Sequence, residues 1–417
     1  MPLLCCADIG TSALKAALID TAGVLHGYCR FPYEAKRSPL VWLSAFTAAL
    51  QDLARQCPGV KASAFIASGN GPTLVPVTAG GESLEPLYWF DPVQALEGPS
   101  FFLPHVKALK DRDPGGFAKT RFFFSPQEWL SWHLGAQALT VLPHRSYEPF
   151  YWDGAQCRFL GIDPQLFPPF TTMGRIIGRI RKKNSGAGED GSGLLPPGIP
   201  IVAGASDFIM ALIGTGVLLP GMVCNRTGSS EGINVSTAER PAGMTGNLRI
   251  LPHAIEGLWN AGAVIEKSGK LLEDFRSATY GEKPYDILVE EILKNPLHPG
   301  RKAMDAIGIS FLKALEDLER AGFPVQELVI SGSQGRNSLW NQHKADLSGR
   351  IFKVPEIPDA ELGGNAVLGA LALERGPDAP GVPDGTAIRK KAAEMIRIRK
   401  IYYPTTPPAP ALPKDRL

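Results

Sequence analysis

Asp8-Ile9-Gly10-Thr11-Ser12-Ala13-Leu14-Lys15 brings a carboxylate, a glycine, two hydroxyls and a lysine together directly after the apolar run Leu3-Leu4-Cys5-Cys6-Ala7. Glycine lets the backbone approach a ligand closely, and turn N–H groups with hydroxyls suit phosphate oxygens. A carboxylate at a strand end can hold a hydrated divalent cation. This is the chemistry of a nucleotide site, weighed against the plainer reading of a hairpin turn with solvated polar residues. A similar strand, turn and strand recurs at Val223-Cys224-Asn225-Arg226-Thr227-Gly228-Ser229-Ser230-Glu231-Gly232-Ile233-Asn234-Val235, so one chain holds two candidate phosphate clamps.

Three further segments could add chemistry. Ile199-Pro200-Ile201-Val202-Ala203-Gly204-Ala205-Ser206-Asp207 reads as a buried strand delivering a carboxylate to the start of an apolar helix, Phe208 to Ile213. The helix dipole there favours the anion, although an ordinary N-cap explains the same pattern. Leu328-Val329-Ile330-Ser331 leads into Gly332-Ser333-Gln334-Gly335-Arg336-Asn337-Ser338 and a helix at Leu339 to Leu347, an arrangement that aims backbone amides at phosphate or a nucleoside. It is neither a Walker A loop nor a G-x-G-x-x-G fingerprint. Glu361-Leu362-Gly363-Gly364-Asn365-Ala366 enters a helix at Val367 to Leu373, where the glycines serve either a ligand or close helix packing.

The elements that must position these groups alternate between period-2 and helical patterns. Ala16 to Asp20 and Val24 to Tyr28 extend a meander, Leu40 to Gln56 is a helix with Leu43, Phe46, Leu50 and Leu53 on its apolar face, and Ala62 to Ala67 is a strand ending in Ser68-Gly69-Asn70-Gly71-Pro72. This is α/β punctuation. A Gly- and Ser-rich stretch between Lys182 and Pro200 suggests a hinge, giving lobes at 1–198 and 199–417, with a Pro-rich tail from about 404.

Composition sets the outer bounds. With 417 residues, 44% of them hydrophobic, the chain can bury two cores. A formal charge of +2, with its one basic run at Arg179 to Lys183 free of aromatic residues, argues against nucleic acid as a partner. Six cysteines without metal spacing, no signal-peptide pattern and no window approaching the ~18 apolar residues of a membrane span predict a soluble cytoplasmic protein away from membranes.

Taken in chain order, these segments resemble the FGGY family of carbohydrate kinases, two-lobed relatives of actin and hexokinase with a ribonuclease-H-like fold in each lobe. The resemblance runs through Asp8-Ile9-Gly10-Thr11-Ser12 with Lys15; Ser68 to Pro72 with Trp89-Phe90-Asp91; Gly198 to Gly204 with Asp207; Thr227 to Glu231; and Ser331 to Gly335 with Trp340, Gln342, Ala345 and Asp346. It implies an α/β fold, with ATP and sugar bound in the cleft between the lobes, and transfer of the γ-phosphate of ATP, with Mg2+, to a hydroxyl of a small sugar or polyol. It implies Asp207 as general base, Asp8 and Asp207 as the magnesium carboxylates, and Gly10, Thr11, Ser12, Lys15, Gly228 and Ser229 as phosphate contacts. Gly332, Ser333, Gly335, Gln342 and Gly364 would serve the α-phosphate and adenosine, and Asn70, Trp89, Asp91 and Asp207 the acceptor. The reading admits a homodimer.

The chain also departs from that pattern. Xylulose kinases carry Gln-Met-His where this chain has Asn70-Gly71-Pro72, and Asn where it has Phe208; Glu231 stands where a small residue is common, and Ser229 replaces Thr. The segment from Tyr280 through Arg301 is short. These changes keep open an alternative, a non-catalytic sugar- or nucleotide-binding regulator of the same fold.

Overall fold

Strand Leu3–Ile9 is buried along nearly its whole length, as its unbroken apolar run requires, and it organises the first sheet. The turn at Gly10 to Ser12 returns the chain as Ala13–Asp20, and Leu25–Pro32 completes the meander. On its other side Leu3–Ile9 pairs in parallel with Ala64–Gly69. The computed structural model describes residues 1–33, 36–182, 192–228, 230–241, 248–281, 283–376 and 383–405.

The first sheet runs in the order Leu25–Pro32, Ala13–Asp20, Leu3–Ile9, Ala64–Gly69, Pro200–Val202, Ile176–Arg179. The second runs Leu248–Pro252, Trp259–Ile265, Glu231–Thr237, Val223–Thr227, Glu327–Gly332, Ile351–Pro355, Ile398–Tyr402. Both repeat one plan: an antiparallel hairpin, parallel strands beyond it, and an antiparallel edge. Helix Leu40–Gln56 covers the first meander through Trp42, Ala45, Phe46, Ala49, Leu50 and Leu53. Trp42 takes the place expected for Leu43, which is half-buried, so the apolar stripe is centred one residue earlier. In the second sheet, helix Arg301–Arg320 packs Phe311, Leu315 and Leu318 against Ile233, Val235, Leu328 and Ile330.

The chain forms two compact units, and neither is contiguous: the first comprises 1–214, 254–256 and 361–395, the second 215–253, 257–360 and 396–417. The strand at Pro200–Val202, expected to open a second lobe after residue 198, instead pairs with Ala64–Gly69 in the first sheet. A three-residue strand has no sheet of its own to nucleate, and the parallel edge of Ala64–Gly69 supplies its ladder. Of the stretch between Lys182 and Pro200, expected as a hinge, residues 183–191 lie outside the described residues, as does the Pro-rich tail beyond 405. Among those described, no helix is long and apolar enough to cross a membrane, and there is no disulfide.

Candidate active site

Strand register chooses the neighbours of Asp8. The antiparallel ladder sets Lys15 opposite it and the parallel ladder sets Ser68 on its other side. Both reach the carboxylate: Ser68 Oγ donates to Oδ1 at 2.8 Å and Lys15 Nζ to Oδ2 at 3.3 Å. Asn365 Nδ2 donates to the Ala7 carbonyl at 2.9 Å and to Ser68 Oγ at 3.1 Å, so a helix from late in the chain fixes the same strand end. Glu361 Oε2 lies 3.8 Å from Lys15 Nζ. Asp8 is 1% exposed, whereas Thr11 and Ser12 stand exposed at the turn, the Gly10 N–H closing it on the Ala13 carbonyl at 3.1 Å.

The residues expected on the acceptor side lie in the same unit, with contacts the sequence reading did not foresee. Trp89 Nε1 donates to Thr11 Oγ1 at 3.1 Å, joining an expected acceptor residue to an expected phosphate residue. Asn70, expected to face a sugar, is 1% exposed; its Nδ2 donates to the Ile9 carbonyl at 2.8 Å and its Oδ1 accepts from Thr73 Oγ1. It braces the end of the first strand. Asp91 accepts two hydrogen bonds from Arg37, at 3.0 and 2.6 Å, and one from the Tyr88 N–H at 2.8 Å. Burial alone would raise its carboxyl, but Arg37 and the Tyr88 N–H together hold it below the usual carboxylate range.

Asp207 is the first residue of helix Asp207–Thr215. Ser206 before it bridges in parallel to Gly69, so that helix begins beside the end of the Ala64–Gly69 strand. The Phe208 N–H donates to Asp207 Oδ1 at 2.7 Å. The second helix here starts earlier than the sequence suggested: Ala360–Arg375 is continuous, so Gly364 sits inside a helix and not on an entry loop. A Cβ at Gly364 would fall 2.1 Å from the Met210 carbonyl oxygen, which makes it a contact between two helices.

The second unit repeats the register logic. Thr227 faces Glu231 across the hairpin and Gly332 across the parallel pair. Gly332 has φ +100°, and a Cβ there would lie 1.9 Å from the Thr227 carbonyl oxygen, so only glycine allows the two turns to meet. The Gly228 N–H donates to the Ser230 carbonyl at 2.9 Å; Ser229 lies outside the described residues. Ser333 is exposed and Gly335 buried. Gln342, expected near adenosine, donates to Asp346 Oδ1 at 3.0 Å and to the Tyr403 carbonyl at 2.8 Å, tying helix Ser338–Ser348 to the C-terminal strand.

Sequence reasoning missed Arg37 and Lys344, and gave no role to Ser68 and Asn365, although both lie in segments it singled out. Lys344 left a local trace: it falls four residues after the buried Trp340, on a helix face where a lysine is out of place. The others are defined by partners far away in the chain.

Magnesium is compatible with this donor set. Such ions are held by one or two carboxylates plus substrate phosphates and keep several waters, and Asp8 offers an anchored, buried carboxylate at the Gly10–Ser12 turn. Among the described residues no group of three or more His, Cys, Asp or Glu converges, so the residues suit a phosphate-anchored cation better than a protein cage.

Residues 293–373 match the FGGY family of carbohydrate kinases, C-terminal domain. The chain is 25% identical to the xylulose kinase of Streptomyces rubiginosus, over 90% of this chain and 88% of that protein. It is 27% identical to the L-fuculokinase of Escherichia coli K12, over 60% of this chain and 56% of that one. The crystal structure of ligand-bound xylulose kinase from Lactobacillus acidophilus superposes with a TM-score of 0.76 at 15% identity, covering 97% of this chain and 94% of that chain. The fold is therefore the two-lobed actin and hexokinase-like one.

Proposed function

We propose that the chain is an FGGY-type carbohydrate kinase, phosphorylating a small sugar or polyol with ATP, and that Asp207 is its general base. The acceptor hydroxyl attacks the γ-phosphorus, a new O–P bond forms as the bond to the β-phosphate oxygen breaks, the hydroxyl proton passes to Asp207, and ADP leaves. Phosphoryl transfer asks the protein chiefly for positioning and charge stabilisation. Gly10, Thr11, Ser12 and Lys15 are assigned to the phosphates, and Gly228, Ser229, Gly332, Ser333 and Gly335 to the nucleotide. Asp8 and Asp207 would hold a magnesium ion, which supplies charge neutralisation on the phosphates. Trp89 and Asp91 belong to the acceptor side.

One observation carries this reading: Asp207 opens its helix beside the end of the Ala64–Gly69 strand, in the same unit as an Asp8 carboxylate anchored by Ser68 and Lys15. Gln342 and Gly364, expected near the adenosine, also make contacts within the protein, Gln342 with the Tyr403 carbonyl and Gly364 with Met210. The alternative regulator reading draws on Asn70 and Asp91, whose polar groups already bind within the protein. The thiol chemistry of the chain supports a cytoplasmic location.

The test is ADP release from MgATP by the parent and Asp207→Ala across ketopentoses, ketohexoses, glycerol, other polyols and sugar acids, with products identified by mass. We expect an acceptor-dependent signal in the parent, lost by a factor of about 10² or more in the variant, with nucleotide affinity retained. Near-parental turnover in Asp207→Ala removes the base assignment. Silence of the parent across the panel, with nucleotide still bound, favours the regulator.

A further inference from the structure

A fully buried ion pair lies behind the two nucleotide loops of the second unit. Lys344, on helix Ser338–Ser348, is 1% exposed and so is Glu231, the first residue of the strand after the turn at 228–230. Lys344 Nζ donates to Glu231 Oε1, to Asn225 Oδ1 at 3.4 Å and to Gln334 Oε1 at 3.2 Å, so its three N–H groups find three acceptors. The carboxylate is equally engaged: Asn225 Nδ2 donates to Oε1 at 2.8 Å and Ser268 Oγ to Oε2 at 2.9 Å. Gln334 Oε1 also accepts from Trp340 Nε1 at 2.8 Å, and the ammonium lies 4.8 Å from the centre of the Phe311 ring.

Burying two charges is expensive, and a well-packed apolar pair would commonly serve stability as well or better. The pair therefore calls for another explanation, and its connections supply one. Glu231 closes the phosphate turn opposite Thr227, Gln334 lies in the loop at Ser333–Arg336, and Lys344 binds both. We infer that Lys344 and Glu231 are positioning residues that lock the phosphate turn to the Gly332–Arg336 loop and thereby set affinity for the nucleotide. The inference rests on the kinase reading of those loops.

The test uses the full chain and the double variant Glu231→Gln/Lys344→Met, which removes both charges together, with Lys344→Met and Gln334→Leu beside it. Binding of MgADP is measured by calorimetry, KM for ATP and for the acceptor by steady-state kinetics, and Tm by thermal melts. The double variant should melt at or near the parental temperature, bind MgADP about tenfold more weakly and raise KM for ATP to match, while the acceptor KM moves less than about twofold. Lys344→Met, which strands the Glu231 charge, should melt well below both. If the double variant fails to fold, Gln334→Leu decides, because it keeps the ion pair and cuts its tether to the loop; about threefold weaker MgADP binding is expected. Parental MgADP affinity in the folded variants overturns the inference. A parent that binds no MgADP overturns the kinase reading instead.

Discussion

Arg37 is the side chain that most alters the chemistry around Asp91, a residue proposed for the acceptor side. Its guanidinium meets Asp91 through two nitrogens, binds Glu85 Oε1 at 2.5 Å through Nε, and lies 4.8 Å from the centre of the Tyr88 ring. The Arg37 side chain is 41% exposed, so screening limits its contribution to stability to roughly 0–1 kcal/mol. Its value lies in holding the Tyr88-Trp89-Phe90-Asp91 corner in one arrangement, with Trp89 anchored on Thr11. Arg37→Met should raise the acceptor KM by about tenfold, equivalent to ~1.4 kcal/mol, with KM for ATP nearly unchanged and Tm lowered only slightly. Steady-state kinetics with both substrates varied checks this; a change confined to KM for ATP would move the corner out of the acceptor site. Arg37 was invisible to sequence reasoning because nothing within its own segment marks a partner 54 residues away.

At the scale of elements, helix Pro126–Leu134 shows how a local signal acquires a distant partner. Ser125 and Glu128 form a capping box, with the Ser125 N–H donating to Glu128 Oε2 at 2.8 Å, and the other oxygen reaches across to the Val141 N–H at 2.7 Å. The helix is thereby tied to strand Thr140–Leu142. Burial pushes the Glu128 carboxyl up from 4.5 to about 7, against the opposing pull of those N–H donors. Between these two values the folded state holds a proton that the unfolded chain has released. Stability therefore falls as pH rises from about 4.5 to about 7 and is flat above, by roughly 3 kcal/mol for this group. Glu128→Gln should lose that slope. Melts of parent and variant between pH 4.5 and 7.5 test it, and parallel pH dependence in the two would show that Glu128 does not titrate in this window.

At the scale of the whole molecule, the first unit is completed by chain that has already passed through the second. Helix Ala360–Arg375 buries Leu362, Val367 and Leu368, holds Asn365 on the Ala7 carbonyl, and lays Gly369 beside Leu4 and Ile66. A chain of residues 1–214 should therefore fail to fold by itself, exposing the apolar sheet face that this helix covers. Circular dichroism melts and solubility check this, and a cooperative, native-like transition in 1–214 would contradict it. The sequence by itself determined both strand-turn-strand clamps, the helix at Leu40–Gln56 and the Asp207 helix start, because hydrophobic period, turn glycines and hydroxyls act within a few residues. Only the tertiary structure decided that Pro200–Val202 joins the first sheet, that Asn70 and Gln342 bind within the protein, and that Glu231 finds Lys344. Ladder register and packing fix those contacts; Glu231 and Lys344 alone stand 113 positions apart, beyond the reach of any local pattern.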